Sequence, residues 1–245
     1  MKNIKNRFIG NKISKTSKKY IPSFIFYNKK NNVTLPLNTS ALYTRDPKAL
    51  AFISSRHKFI GKMIEGKKKV LDIGCGDGFG TTIVSQFVKK IIGIDYYKTH
   101  IDEAKINLEK NFKNIKFLAK NIFEIDYKNY FDAAYSMDVL EHINKKEETN
   151  FIKSACKTLK SDGIFIVGMP SIESQKYASA VNKKEHINCK TGKSLKLFCE
   201  KFFKSVFLFS MNDEVVHTGF TPMSQYIICI CIFKKWSWMN SKFFY

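Results

Sequence analysis

The segment Val70–Gly80, which reads VLDIGCGDGFG, constrains the fold of this chain more than any other stretch. Its first four residues surround one acid with aliphatic side chains, a pattern typical of a buried parallel strand. The glycines that follow, Gly74, Gly76 and Gly78, allow a tight turn and a close approach of the backbone to a ligand. The segment therefore predicts a strand, a ligand-binding turn and a helix in succession.

A second apolar strand, Ile91–Asp95, ends in an acid about twenty residues later. At that spacing a βαβ unit presents a carboxylate to a ribose, so we expect an adenosine-containing cofactor at the carboxyl edge of the sheet. A dinucleotide-binding turn would need glycine at the last position of G-x-G-x-x-G, and Phe79 stands there. The spacing of the glycines therefore argues against a dinucleotide.

Residues Asp72 to Gly78 form D-x-G-x-G-x-G, which resembles the first motif of the class I S-adenosylmethionine-dependent methyltransferases. S-adenosylmethionine carries a sulfonium and an ammonium group. The acids Asp72 and Asp77 suit such a cation better than they suit a pyrophosphate, which prefers bare amides at a helix N-terminus. The resemblance implies the fold of that family and methyl transfer from S-adenosylmethionine.

The alternation of strands and helices after residue 70 predicts a doubly wound α/β fold with helices on both faces of the sheet. The predicted strands lie at 70–73, 91–95, 115–120, 131–136, 163–169, 205–211 and 225–233. No clear helix joins the last two strands, which suggests an antiparallel end to the sheet, as the resemblance also implies. We therefore predict a Rossmann-like, seven-stranded, mostly parallel sheet with an antiparallel last strand.

The chain divides into three predicted parts. A basic N-terminal extension occupies 1–45, and we expect it to form part of a lid. A methyltransferase domain follows over 46–235, and a basic and aromatic tail occupies 236–245. Asp46 and Pro47 favour a helix start just before the first strand. No apolar stretch reaches eighteen residues, so we predict no transmembrane segment and a cytoplasmic location.

The net charge of +21, from 42 basic and 21 acidic residues, raises the question of a nucleic-acid partner. Arginine, which makes the bidentate contacts of most nucleic-acid readers, occurs only at Arg7, Arg45 and Arg56. We interpret the many lysines as a solvated surface and expect a small-molecule acceptor rather than a nucleic acid. An RNA or protein methyltransferase stays open as an alternative, and the sequence does not indicate an oligomeric state.

The resemblance also implies which residues bind the cofactor. Asp95 is expected to accept hydrogen bonds from the ribose hydroxyls, with Tyr96 beside the adenine. Asn121 stands where many relatives carry aspartate, and its amide oxygen can still accept a hydrogen bond from the adenine amino group. The predicted cofactor-binding residues are Asp72, Gly74, Cys75, Gly76, Gly78, Asp95, Tyr96, Asn121, Ile122, Met137 and Asp138.

The fourth predicted strand leads into Val139–His142, which reads VLEH and resembles a segment of small-molecule methyltransferases. Enzymes that methylate base amines carry [DN]-P-P-[YF] near this point, and this chain has Ser136–Asp138 instead. We therefore expect a small polar acceptor, methylated at an oxygen, with a sugar or glycan precursor favoured. A quinone-type O-methyltransferase and a non-catalytic cofactor-binding homologue are the alternatives.

Deprotonation of an acceptor hydroxyl would benefit from a base with a pKa near neutrality. His142, just after the cofactor strand, is the first candidate, and His186, in the polar loop after strand five, is the second. His217 comes third. We predict no metal, although Asp138, Glu141 and His142 could hold a divalent cation, as the resembling segment does in some quinone O-methyltransferases.

Overall fold

The structure is a computed structural model that describes residues 33–235. The predicted tail at 236–245 and most of the predicted N-terminal extension lie outside the described residues. In the described part of the chain, no helix is both long and apolar enough to cross a membrane.

The described residues form an eight-stranded sheet in the order β3-β2-β1-β4-β5-β8-β6-β7. The strands are β1 Lys69–Ile73, β2 Lys90–Asp95, β3 Ile115–Ala119, β4 Phe131–Met137, β5 Leu159–Pro170, β6 Phe203–Asn212, β7 Val215–His217 and β8 Tyr226–Lys234. Strands β1 to β5 pair in parallel, whereas β8 pairs antiparallel with both β5 and β6. The predicted doubly wound, mostly parallel sheet with an antiparallel last strand is therefore confirmed.

The predicted number of seven strands is wrong by one. The additional strand, β7, has three residues and pairs antiparallel with the end of β6. It follows a tight turn in which Asp213 adopts a left-handed backbone with φ of 49°. Three residues after a polar turn are too few to produce a recognisable alternating pattern, so the sequence does not predict this strand.

The described residues form seven α-helices, of which two precede β1 and five lie between successive strands. They are α1 Leu37–Arg45, α2 Lys48–Met63, α3 Phe79–Val84, α4 Lys98–Ala104, α5 Glu148–Thr158, α6 Ala180–Glu185 and α7 Gly192–Cys199. Helix α4 continues into a π-helical turn over Lys105–Glu109. Short 3-10 helices lie at Ile122–Glu124, Leu140–His142, Glu173–Tyr177 and Thr221–Met223.

Each face of the sheet is covered by its own hydrophobic cluster. Leu71 of β1 packs in the cluster that holds Phe151 of α5, whereas its neighbour Val70 packs in the cluster that holds Ile60 of α2. This alternation follows from the two-residue repeat of a strand. Because both faces are covered, the parallel strands open to ligands at their carboxyl ends, where the glycine turn lies.

Candidate active site

A cavity of about 910 Å³ lies at the carboxyl ends of the central strands. The predicted cofactor residues that line it are Asp72, Gly74, Cys75, Gly76, Asp95, Tyr96, Asn121, Ile122, Met137 and Asp138. The lining also includes His142, together with Glu185 and Ile187 on either side of His186. The structure thus brings together residues from five separate segments of the predicted site.

Gly78, the remaining predicted cofactor residue, has a different role from the one expected. A Cβ atom at Gly78 would lie 2.5 Å from Cζ of the buried Phe117, and the backbone φ is +85°. Gly78 is therefore required for packing of the turn against β3. At Gly76, where φ is +55°, a Cβ atom would meet no described atom within 4 Å. Of these two glycines, only Gly76 leaves the backbone open to the cavity.

The Asp95 carboxylate connects the end of β2 to the glycine turn. Its Oδ2 accepts a hydrogen bond from the Gly76 N–H at 3.0 Å, and its Oδ1 accepts one from the Tyr97 N–H at 2.9 Å. A carboxylate has about four lone-pair sites, so these two bonds leave acceptor capacity for the hydroxyls of a ribose. Beside it, the rings of Tyr96 and Tyr97 lie with centroids 4.0 Å apart at the cavity wall.

Asp72 makes contacts within the protein that the sequence did not predict. Its Oδ2 accepts hydrogen bonds from the Thr81 hydroxyl at 2.6 Å and the Tyr135 hydroxyl at 2.7 Å. Burial raises the pKa of Asp72 to about 7. The two hydrogen bonds act in the opposite direction but do not offset the effect of burial. Asp72 therefore ties β1 to α3 and β4 as well as lining the cavity.

Asn121 also has a local structural role. Its side-chain oxygen accepts a hydrogen bond from the Phe123 N–H at 3.1 Å and so caps the 3-10 helix at Ile122–Glu124. The amide oxygen that was expected to face the adenine amino group is thus shared with this cap. The capping bond is typical of asparagine before a helical turn.

Helix α1 forms part of the cavity wall through Asn38, Thr39 and Leu42. The Thr39 N–H donates to the Asp77 carboxylate at 2.8 Å, and the Thr39 hydroxyl donates to the same carboxylate at 2.9 Å. Asp77, expected from its charge to suit a cationic cofactor, thus anchors α1 over the glycine turn. No local signal in the sequence indicates this contact, because the partners lie 38 residues apart.

Asp138 is held by an arginine that the sequence did not single out for the site. Arg56 of α2 lies with Nη2 2.6 Å from Oδ2 of Asp138, and its Cζ lies 4.7 Å from the ring centroid of Tyr226. Asp138 itself has a left-handed backbone with φ of 57°. Both charged groups line the cavity, so their ion pair forms part of its wall.

Glu141, His142 and His186 form a second polar group at the cavity. One ligand atom of each residue lies within 4.8 Å of the others, and the two histidine ring centroids are 5.1 Å apart. Glu141 is fully buried, and among residues 33–235 neither of its carboxylate oxygens has a hydrogen-bond partner. Burial, followed by the charge of Asp138, raises the pKa of Glu141 well above its usual range. Burial, followed by the charge of His142, lowers the pKa of His186.

A buried polar network holds the loop that carries His186. The Asn188 N–H donates to the Glu141 carbonyl at 2.9 Å, and the Asn188 side chain donates to Glu148 at 2.9 Å. Lys190 forms a 2.6 Å ion pair with the same Glu148 carboxylate. These contacts fasten the loop to the segment after β4 and bring His186 beside His142.

The third candidate base, His217, is not among the residues that line the cavity in the described part of the chain. His217 ends β7, where its Nδ1 accepts a hydrogen bond from the Gly219 N–H at 2.9 Å. The contact is local, between residues two positions apart, and it orders the turn after β7. Of the three histidines considered, the structure groups only His142 and His186 with another ionisable side chain of the site.

The cavity fits S-adenosylmethionine. The open space beside Gly76 allows the cofactor to contact backbone, and the Asp95 carboxylate in the lining can balance the positive charge of a sulfonium and an ammonium. Asp95 retains acceptor capacity for ribose hydroxyls. The residues that would hold the cofactor are therefore present on this chain.

Comparison with known proteins agrees with this geometry. Residues 64–217 match the model of a family described as a methyltransferase domain. A ubiquinone biosynthesis O-methyltransferase from Pelagibacter ubique (strain HTCC1062) is 31% identical over 119 residues, which make up 49% of each chain. The chain thus spans about half the length of the curated relatives it matches.

Solved structures share the fold, and two of them serve as examples. One is Burkholderia thailandensis 1,6-didemethyltoxoflavin-N1-methyltransferase with bound S-adenosylhomocysteine, at 15% identity and a TM-score of 0.61, covering 81% of this chain and 86% of that one. The other is a SAM-dependent methyltransferase from Aquifex aeolicus, at 15% identity and a TM-score of 0.59, covering 80% and 99%. At these identities the likeness shows the fold alone.

The family match covers more than half of the chain and includes the glycine turn, Asp95, the VLEH segment and His186. The order and direction of the strands and the chemistry of the cavity lead to the same conclusion. The chain belongs to the methyltransferase domain family and is a class I S-adenosylmethionine-dependent methyltransferase.

Proposed function

We propose that this enzyme transfers the methyl group to a hydroxyl oxygen of a small acceptor. The observation that carries the proposal is the grouping of Glu141, His142 and His186 beside the cofactor cavity. Transfer to a hydroxyl requires alignment of the oxygen with the methyl group and removal of the hydroxyl proton. A histidine pair next to the cavity supplies ring nitrogens that can accept that proton.

The acceptor that we propose is a hydroxylated ring of the quinone-precursor type. The cavity wall near His142 contains Val139, Ile143, Phe151 and Ile187, and such apolar side chains suit a ring better than a sugar. The curated relatives named as ubiquinone biosynthesis O-methyltransferases support the same choice. A sugar or glycan precursor, favoured by the sequence, becomes the second choice.

Different residues of the chain bind the cofactor, remove the acceptor proton and hold the site in place. Asp95 and the turn at Gly76 bind and orient the cofactor, which supplies an activated methyl group when bound. His142, which is exposed in the cavity, takes the acceptor proton. His186 lies against His142 and keeps its ring in place. The ion pair of Arg56 and Asp138 forms part of the cavity wall.

A second form of this function uses a divalent cation. Two histidines and a carboxylate are a common ligand set for transition metals and zinc. The unpartnered oxygens of buried Glu141 favour this form, because a cation would supply the charge that compensates the carboxylate. A cation held by Glu141, His142 and His186 would supply Lewis acidity toward the acceptor hydroxyl. Asp138, included in the ligand set considered from sequence, pairs with Arg56 instead.

Methyl incorporation from labelled cofactor tests the proposal directly. The purified enzyme is offered a set of catechols and phenols, a set of sugars, and RNA. We expect label only in the set of catechols and phenols, on a ring hydroxyl. His142→Gln should lower turnover by about 10²–10⁴-fold while S-adenosylhomocysteine affinity, measured by calorimetry, stays constant. Label in sugars or RNA, with none in the ring compounds, would contradict the proposal.

Metal removal separates the two forms of the function. If a histidine acts alone, dialysis against a chelator leaves turnover unchanged, and Glu141→Gln has little effect on the reaction. If a cation takes part, chelation abolishes turnover, manganese or zinc restores it, and Glu141→Gln prevents the restoration.

A further inference from the structure

The orientation of the Gln175 side chain is fixed by a backbone carbonyl. Its Nε2 donates a hydrogen bond to the Ser171 carbonyl oxygen at 3.3 Å. A carbonyl oxygen can only accept, so the NH₂ end of the amide must face Ser171. The Oε1 end consequently faces His186, where it lies 2.9 Å from the ring Nδ1.

This orientation determines the tautomer of His186. An amide oxygen has no proton to donate, so Nδ1 of His186 must carry the hydrogen of the 2.9 Å bond. In the neutral ring the lone pair then lies on Nε2. His142 is restricted in the same way, because its Nδ1 lies 3.2 Å from the Glu185 carbonyl oxygen. Both neutral rings therefore keep Nε2 as the nitrogen that can accept a proton or bind a cation.

We infer that Gln175 is a positioning residue that fixes His186 as the tautomer with its lone pair on Nε2. The inference rests on the proposed function, in which His142, His186 and Glu141 act together. It applies to both forms of that function, since a proton acceptor and a metal ligand each need the lone pair. Gln175 belongs to the 3-10 helix Glu173–Tyr177, so this segment contributes to the site through His186.

Three substitutions, with a fourth in reserve, separate positioning from simple packing. Gln175→Leu removes the acceptor and keeps a side chain of similar size. Gln175→Glu keeps an oxygen that can accept from His186. Lys176→Gln changes the next residue of the same 3-10 helix and serves as the matched control. Gln175→Met repeats the first test with a more adaptable side chain in case the leucine variant does not fold.

The readout that does not depend on activity is nitrogen NMR of protein with isotope-labelled histidine. Spectra are recorded without added metal at about pH 8.5, about two units above the usual histidine pKa of about 6.5. We expect a pyrrole-like Nδ1 for His186 in the parent, in Gln175→Glu and in Lys176→Gln. Gln175→Leu should give a mixture of tautomers. The His186 signals are assigned by their loss in His186→Asn.

Turnover is measured on the same proteins with the ring acceptor. Loss of a residue that orients a functional histidine typically costs about 10–100-fold, and we expect a fall of that size in Gln175→Leu. Gln175→Glu and Lys176→Gln should stay close to the parent, and S-adenosylhomocysteine affinity should be the same in all four proteins.

Several results would overturn the inference. A pyridine-like Nδ1 of His186 in the parent would show that Gln175 does not fix the tautomer. An unchanged tautomer together with lost turnover in Gln175→Leu would indicate a packing role. A changed tautomer with full turnover would show that the lone pair on Nε2 is not used. If the parent methylates no hydroxyl compound, the proposed function fails, whereas the spectra of the parent and Gln175→Leu still decide the role of Gln175.

Discussion

Gly76 and Gly66 have similar backbones and differ in what lies beside them. Their φ angles are +55° and +80°, and a Cβ atom at either would meet no described atom within 4 Å. Only Gly76 lines the cofactor cavity. The pair therefore separates the cost of a strained backbone from the loss of cofactor contact.

We predict that Gly76→Ala and Gly66→Ala lower the free energy of unfolding by similar amounts, about 1–2 kcal/mol, because both place an L-residue in the left-handed region. Only Gly76→Ala should weaken S-adenosylhomocysteine binding, by about tenfold or more, since the new methyl group occupies cofactor space. Denaturant unfolding measures the first quantity and calorimetry the second. Equal affinities in the two variants would contradict our assignment of Gly76 to the cofactor-binding turn.

Asp72 gives a second prediction at the scale of one residue. Burial raises its pKa to about 7 in the folded protein, against about 3.9 in an unfolded chain. Between these values the folded state binds one proton more than the unfolded state. This residue therefore contributes stability that is complete below about pH 4 and is lost as the pH rises to about 7.

The isosteric Asp72→Asn variant lacks this titration. We expect the free energy of unfolding of the parent to fall more steeply than that of the variant between about pH 4 and 7, by up to about 1.4 kcal/mol per pH unit. Above about pH 7 the difference between the two proteins should become constant. Denaturant unfolding at a series of pH values measures both curves, and parallel curves would show that Asp72 titrates normally.

At the scale of elements, helix α1 depends on one threonine for its contact with the glycine turn. The Thr39 hydroxyl donates to the buried Asp77 carboxylate, and hydrogen bonds to charged groups contribute about 1.5–3 kcal/mol. Thr39→Val removes this donor and keeps the shape of the side chain. Thr44→Val is the matched control, since the exposed Thr44 hydroxyl donates only within α1, to the Ser40 carbonyl.

We predict that Thr39→Val speeds hydrogen exchange in α1 and increases the dissociation rate of S-adenosylhomocysteine several-fold. The reason is that α1 contributes part of the cavity wall and would leave the glycine turn more often. Thr44→Val should behave like the parent in both measurements. Unchanged exchange and dissociation in Thr39→Val would remove the argument that α1 covers the cofactor.

The elements that the sequence predicts are those whose signal is local. Val70–Gly80 specifies a strand and a turn within eleven residues, and Asp95 marks the end of the next strand. The contacts that the sequence could not predict join remote segments. Arg56 and Asp138 lie on α2 and after β4, and nothing in either segment indicates the other.

The glycines and histidines of the site show the same limit. The pattern of the turn indicates that Gly76 and Gly78 are both needed, yet only the packing of Phe117 shows that Gly78 is needed for the core. The sequence offers His142 and His186 as separate candidates. Their grouping depends on the buried contacts of Asn188 and Lys190, which no periodic pattern reveals.

At the scale of the whole molecule, the net charge of +21 gives opposite expectations for the two classes of acceptor. Binding to RNA releases counterions, so log affinity falls with log salt by nearly one unit for each phosphate contacted. A small ring acceptor in a cavity has no such dependence. The net charge by itself therefore does not distinguish an RNA acceptor from a small ring acceptor. The salt dependence of binding and turnover does distinguish them.

We predict that turnover with the ring acceptor changes less than about twofold between about 50 and 200 mM salt, while any binding of RNA weakens steeply over the same range. Substitution of exposed lysines tests the origin of that binding. The lysines chosen lie near the amino end of β3, opposite the cavity: Lys110, Lys113 and Lys116. Replacing all three with glutamine should reduce RNA binding at low salt and leave methyl transfer unchanged. If the substitutions lower methyl transfer, or if RNA accepts label with the same salt slope as its binding, the lysines are part of the acceptor site and the small-molecule assignment is wrong.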